Sequence, residues 1–123
     1  MIDYQSKLPF YEQIANRYQM LILRGILPAG TQMPSVRSLA VELSINPNTI
    51  QKAYSLLEQQ GYIYSAKGRG SFVSDVSDLA EKKKKTLIQE VRGKLKLGKE
   101  LGVTEEEFIA LIRELYSGSG HSM

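Results

Sequence analysis

Asn46-Pro47-Asn48-Thr49-Ile50-Gln51-Lys52-Ala53-Tyr54-Ser55-Leu56-Leu57-Glu58-Gln59-Gln60-Gly61 is the stretch on which the reading of this 123-residue chain turns. Asparagine is a strong helix N-cap, because its side-chain oxygen accepts from the free N–H groups of the first turn. Proline suits the first helical position, where its missing N–H is not needed. Asn46-Pro47 therefore opens a helix, which runs to about Gln60 and stops at Gly61. With Asn48 set at 0° and roughly 100° per residue, Ile50, Ala53, Tyr54 and Leu57 gather between about 140° and 240°. Asn48, Gln51, Lys52 and Ser55 gather on the opposite side with Thr49 at its flank, and no acidic side chain stands among them. One face is built for a core, and the other offers amides, hydroxyls and an ammonium group.

Working backwards, Ser44 and Ile45 leave only a tight connection to a short second helix, Val36 to Leu43, which Ser35 can cap. Its Val36, Leu39, Ala40 and Leu43 turn inward and Arg37 is left to point elsewhere. Pro28, Gly30 and Pro34 forbid a helix between Ile26 and Pro34 and allow a loop with one short extended piece. From Pro9 to Arg24, the positions Ile14, Ala15, Tyr18, Leu21 and Ile22 draw the stripe of a first amphipathic helix, stopped by Gly25.

Working forwards, Tyr62-Ile63-Tyr64-Ser65 and Ser71-Phe72-Val73-Ser74 are β-prone, and Lys67-Gly68-Arg69-Gly70 joins them as a hairpin with a basic tip. Leu79, Ala80, Leu87, Ile88, Val91 and Leu95 then continue at helical spacing through a basic run. Gly98 and Gly102 follow, before a last helix opened by Thr104 and Glu107 as a capping box, with Phe108, Leu111, Ile112 and Leu115 as its stripe. Two such helices do not bury their apolar faces on each other alone and need a partner surface. Residues 117–123 read as a disordered tail. The expected fold class is mainly α with a small β-hairpin: a winged helix-turn-helix over residues 1–75, then a two-helix region over 76–116.

Composition narrows the function classes. The chain has no cysteine, which excludes a disulfide scaffold and a thiolate zinc site. Its first residues lack the apolar stretch of a signal peptide and no apolar run is long enough to span a bilayer, so a cytoplasmic protein without a membrane partner is expected. The formal charge of +3 is spread along the chain, with seven basic and five acidic residues up to Asp75 and nine and eight beyond it. A single histidine, no cysteine and no glycine-rich loop after a strand leave no catalytic constellation, so no enzyme is expected. Glu105, Glu106 and Glu107 sit at a helix start, where the dipole favours acids, and point in different directions; no metal site and no cofactor is read there. Nothing in the sequence identifies a small-molecule effector.

The outer face of the third helix suits a DNA major groove. Asn and Gln make paired hydrogen bonds to adenine, Ser and Thr bond bases or phosphates, and Lys reaches guanine or phosphate. A polar outer face alone is common to most helices. Here it coincides with Arg37 beside it and with Arg69 between two glycines, which let the backbone approach a narrow minor groove that favours arginine. A winged helix used only for protein contacts, the rival reading, would carry acidic or apolar residues on that face. Lys82 to Lys85 wrap around their helix and cannot all face one ligand; they read first as a solvated face and second as a nonspecific electrostatic contribution.

Pro9-Phe10-Tyr11-Glu12-Gln13-Ile14, Gly30-Thr31-Gln32-Met33-Pro34-Ser35-Val36-Arg37-Ser38-Leu39-Ala40, Asn46 to Tyr54 and Gly68-Arg69-Gly70-Ser71-Phe72-Val73 closely resemble the winged-helix domain of GntR-family bacterial transcription regulators. The Asn-Pro-Asn-Thr start and the short C-terminal part are similar to the YtrA-like subfamily, which ends in a small helical dimerisation region. The resemblance implies that Ser35 and Arg37 contact DNA from the second helix. It implies further that Asn46, Asn48, Thr49, Gln51 and Lys52 present the recognition helix, and that Gly68 and Arg69 form the wing at the minor groove. Met33, Ile45 and Ser71 stand where the family usually has Leu, Val and often Thr, and Gln51 where some members have Arg. The implied partners are double-stranded operator DNA and a second copy of the chain, and a repressor is expected because the chain has little material for contacting polymerase. Leu87, Ile88, Val91, Leu95, Phe108, Leu111, Ile112 and Leu115 are the expected dimer contacts, because a two-fold partner would cover both stripes and set two recognition helices on one DNA face.

Overall fold

In the computed structural model, which describes residues 2–118, the elements follow in the order α1 (Phe10–Leu23), α2 (Val36–Leu43), α3 (Pro47–Gln59), β1 (Ile63–Ala66), β2 (Gly70–Val73), α4 (Ser77–Glu100) and α5 (Glu105–Tyr116). The tail expected over 117–123 lies outside the described residues from 119 onward, and Ser117 is the C-cap of α5.

Local chemistry sets these boundaries. The Ser35 hydroxyl accepts from the Ser38 N–H and caps α2, and Ser44 takes the left-handed conformation at φ 55° that turns the chain out of that helix. Asn46 Oδ1 accepts from the Asn48 N–H and caps α3, whose first helical residue is Pro47. Gly61, at φ 85°, follows its end and permits a turn that a side chain would resist.

The apolar stripes meet in one core. Ile14, Ala15, Tyr18 and Ile22 of α1, Leu39 and Ala40 of α2, and Ile50, Ala53, Tyr54 and Leu57 of α3 are buried together with Met33, Tyr62, Ile63 and Val73. Leu21, Val36 and Leu43 pack at its margin. α3 lies against α1, α2 and β1, and the rings of Tyr18 and Tyr54 meet edge to face at 6.4 Å.

β1 and β2 pair antiparallel, Ile63 with Val73 through Ala66 with Gly70. Tyr62 lies just outside β1, but its carbonyl accepts from Ser74 N–H at 2.9 Å, so pairing continues past the strand bounds. The expected extended piece is present: Gln32 bridges Phe72, Met33 N–H donates to Ser71 O at 2.8 Å, and Val73 N–H donates to Thr31 O at 2.8 Å. Residues 31–33 thus form an extended segment bridged to the free edge of β2 at one position.

The chain divides into two compact units between Ala80 and Glu81, inside α4. The first residues of this helix remain with the first unit because Leu79, like Val76 just before the helix, packs on its core. In the second unit, Gly98 lies within α4, whereas the spacing placed it with Gly102 between two helices. The reason is tertiary: Gly98 is buried under Phe108 of α5, and a Cβ there would stand 2.3 Å from Phe108 Cζ. Gly102, at φ 89°, makes the break, and Thr104 and Glu107 form the reciprocal capping box that opens α5. Glu107 Oε1 accepts from the Thr104 N–H at 3.3 Å, so this carboxylate is occupied in shaping a helix end.

Candidate nucleic-acid interface

α3 presents the face its sequence describes. Asn46, Asn48, Gln51, Lys52 and Ser55 are exposed and Thr49 is half-buried, while the apolar residues of the helix face the core. Asn46 spends its oxygen on the Asn48 N–H at 2.8 Å, which leaves its amide NH2 as the group it can offer a ligand. Gln51 Nε2 donates to Ser55 Oγ at 3.4 Å, the long limit of a hydrogen bond, so its amide can turn to a better partner at little cost. Lys52 Nζ lies 4.3 Å from the centroid of the Tyr11 ring, within cation–π range. The Tyr11 hydroxyl donates to Glu12 Oε1 at 3.2 Å. Desolvation first, then the bond and charge of Glu12, raise the Tyr11 pKa above its ordinary value, so the ring is neutral at physiological pH.

The start of α2 is tied to this helix. Tyr54, on the inner side of α3, donates its hydroxyl to Pro34 O at 2.7 Å, immediately before Ser35. Burial, then the neighbouring Tyr18 and Glu42, push the Tyr54 pKa far up, so it remains a donor throughout the working range. Ser35 donates to Ser38 Oγ at 2.9 Å and accepts from the Ser38 N–H at 3.0 Å. Its hydroxyl proton is therefore engaged inside the helix start, beside which Arg37 is exposed.

The wing completes the surface. Arg69 N–H donates to Ala66 O at 2.8 Å and closes the tip, with Gly68 at φ 75° and Gly70 at φ 105° in conformations that side chains resist. Gly68 and Arg69 are exposed. Gln32 reaches from the extended segment beside β2 to the tip, its Nε2 donating to Arg69 O at 2.9 Å. Residues 32–37 thus join all three parts, with Gln32 at the wing, Pro34 held by α3, and Ser35 and Arg37 at the start of α2.

Positive charge comes from Arg37, Lys52, Lys67 and Arg69, and the acidic residue of α3, Glu58, is engaged by the Ser65 hydroxyl at 2.9 Å. Chemically the surface offers amide pairs suited to adenine, cations suited to phosphate or guanine, and a glycine-flanked arginine suited to a minor groove. Sequence reasoning did not find Tyr11 beneath Lys52, the Tyr54 hydroxyl or Gln32. The partners of all three are distant in sequence, and only the proline-bounded extended segment hinted that Gln32 lines an edge.

In the second unit, Leu87, Ile88, Val91, Leu95, Leu111, Ile112 and Leu115 are exposed and Phe108 is half-buried on Gly98. Leu95, Phe108 and Ile112 line one open groove, and Ile88 and Val91 continue from Leu95 along α4. Leu87 instead borders a groove shared with Lys82, Lys83 and Glu90. Of the lysine run, Lys84 pairs with Glu81 at 3.8 Å, and all four lysines are exposed. No described helix is long and apolar enough to cross a membrane.

Residues 10–73 match the family of bacterial regulatory proteins named gntR. The helix-turn-helix transcriptional regulator YhcF of Bacillus subtilis is 37% identical over 117 residues, which cover 94% of this chain and 97% of the relative. The transcriptional repressor YtrA of the same organism is 42% identical over 99 residues, covering 80% and 69%. Among solved structures, a transcriptional regulator from Oenococcus oeni superposes with a TM-score of 0.73 at 28% identity, covering 94% of this chain and 97% of that one. The DNA-binding domain of AraR in complex with its operator ORX1 superposes with a TM-score of 0.53 at 29% identity, covering 60% and 92%.

Proposed function

This chain belongs to the gntR family of bacterial regulatory proteins and is a DNA-binding transcriptional regulator, and from that premise we propose that it is a repressor that binds a two-fold operator as a homodimer. α3 enters the major groove, where Asn48 and Gln51 read base edges and Thr49 and Lys52 contact bases or phosphates. Ser35 shapes the start of α2, Arg37 reaches a phosphate or guanine beside α3, and Asn46 offers its amide at the α3 N-terminus. Gly68 and Arg69 bring the wing to the minor groove. Helices α4 and α5 supply the dimer contacts, and the protein acts in the cytoplasm, where its DNA is.

The observation that carries this reading is the exposed outer face of the first turns of α3, where no acidic residue stands between Asn46 and Leu57, anchored through Tyr54 to the segment that bears Arg37. Support for the operator comes from the AraR domain, whose solved complex contains one, and for repression from YtrA, which is named a repressor. Support for the dimer comes from the apolar residues that α4 and α5 leave exposed. The test is a mobility shift on promoter fragments from the host genome at two salt concentrations. Neutralising several phosphates makes affinity fall steeply with salt. Binding that ignores salt, or fails even at low salt, contradicts the proposal.

A further inference from the structure

We infer that Gln32 is a positioning residue of the wing: its side-chain amide clasps the peptide that carries Arg69 and so fixes how that arginine is presented, an inference that rests on the reading of Arg69 as a DNA contact. In the tip, Ala66 pairs with Gly70 and the Arg69 N–H is taken by Ala66 O. The Arg69 carbonyl is taken by Gln32 Nε2 at 2.9 Å, from 37 residues away. Two further features converge on this contact. The bonds from Met33 to Ser71 and from Val73 to Thr31 hold the backbone on either side of Gln32 against β2, so the side chain springs from a fixed base. Gly70 makes room for it: a Cβ there would stand 3.0 Å from Gln32 Nε2. Glycine at 70 thus serves the turn, at φ 105°, and the approach of the amide together.

The clasped carbonyl belongs to the Arg69–Gly70 peptide bond, a bond that trypsin cuts, so the clasp can be measured without DNA. The full chain is compared with Gln32→Met, which keeps the length and removes the donor, and with Gln32→Glu, which keeps the shape and can only accept. A neutral hydrogen bond of ordinary net strength shifts a local opening equilibrium about fivefold. Cleavage after Arg69 should therefore quicken about fivefold in both variants, with the thermal midpoint lowered by only the few degrees that the loss of one such bond implies. On a duplex that the wild-type chain selects from a random-sequence pool, Gln32→Met should weaken binding several-fold, and should add nothing to Arg69→Ala. An unchanged cleavage rate overturns the clasp. Equal losses of affinity in both backgrounds overturn the positioning role, since Gln32 then acts independently of Arg69. If Arg69→Ala leaves affinity intact, the wing reading fails, while the cleavage rates still judge the clasp.

Discussion

Two glycines on one helix face opposite consequences from the same substitution. At Gly93, an added Cβ meets nothing within 4 Å, whereas at Gly98 it would stand 2.3 Å from Phe108 Cζ and 2.8 Å from Cε2. Replacing glycine by alanine inside a helix gains about 1 kcal/mol through backbone entropy alone. Gly93→Ala should show that gain in full. Gly98→Ala begins with the same gain but drives a methyl into a ring, and such overpacking costs about 1–3 kcal/mol. The two variants should therefore differ by about 1–3 kcal/mol, with Gly98→Ala between neutral and about 2 kcal/mol destabilised. Urea unfolding followed by circular dichroism, at one fixed protomer concentration, measures both. Phe108→Leu, which shortens the obstructing side chain, should reduce the penalty of Gly98→Ala. Equal stabilisation by both alanines would refute the close packing of α5 on Gly98.

Two buried tyrosines should respond oppositely to loss of a hydroxyl. Tyr54→Phe removes the bond to Pro34 O and should cost about 1 kcal/mol, whereas Tyr62→Phe, whose buried hydroxyl has no partner among the described residues, should be neutral or stabilising; thermal melts of each check this. Burial raises the Tyr54 and Tyr18 pKa values, so both hold their protons more firmly when folded. Stability from this source is complete below the ordinary tyrosine pKa of 10.0 and falls as pH rises above it, and Tyr54→Phe should flatten the alkaline fall of the urea midpoint. Ile112→Glu places a charge on an exposed apolar position of α5; sedimentation should report monomer and operator affinity should drop, while a persistent dimer would remove Ile112 from the interface.

The elements that the sequence disclosed are those written in short-range chemistry. Asn46-Pro47, Ser35 and the Thr104–Glu107 box act within one helical turn, and the stripes of α1, α2 and α3 repeat at helical spacing, so each is visible without knowledge of the fold. Glycine disfavours helices by about 1 kcal/mol, so Gly98 reads as a break, and its role as the seat of the Phe108 ring depends on α5, which its neighbours in sequence do not show. The strand bounds lie one residue nearer the tip than the β-prone runs, because Ala66 pairs with Gly70 there, and Tyr62 keeps its bond to Ser74 beyond the other end. At the interface the side chains that face outward were legible, since facing follows from periodicity. What holds them was not: Lys52 rests on Tyr11 of another helix, and Arg69 is clasped by Gln32 across the wing.

The central claim, that the outer face of α3 reads bases, is tested most directly by the sequence preference of the full chain and of Gln51→Ala, each selected against a random-sequence duplex pool. The expected wild-type site is two-fold symmetric. Gln51→Ala should bind the same site while losing about 1–3 kcal/mol of discrimination at one base pair in each half, roughly fivefold to 150-fold in relative affinity. An unchanged preference at every position of the site would contradict the account.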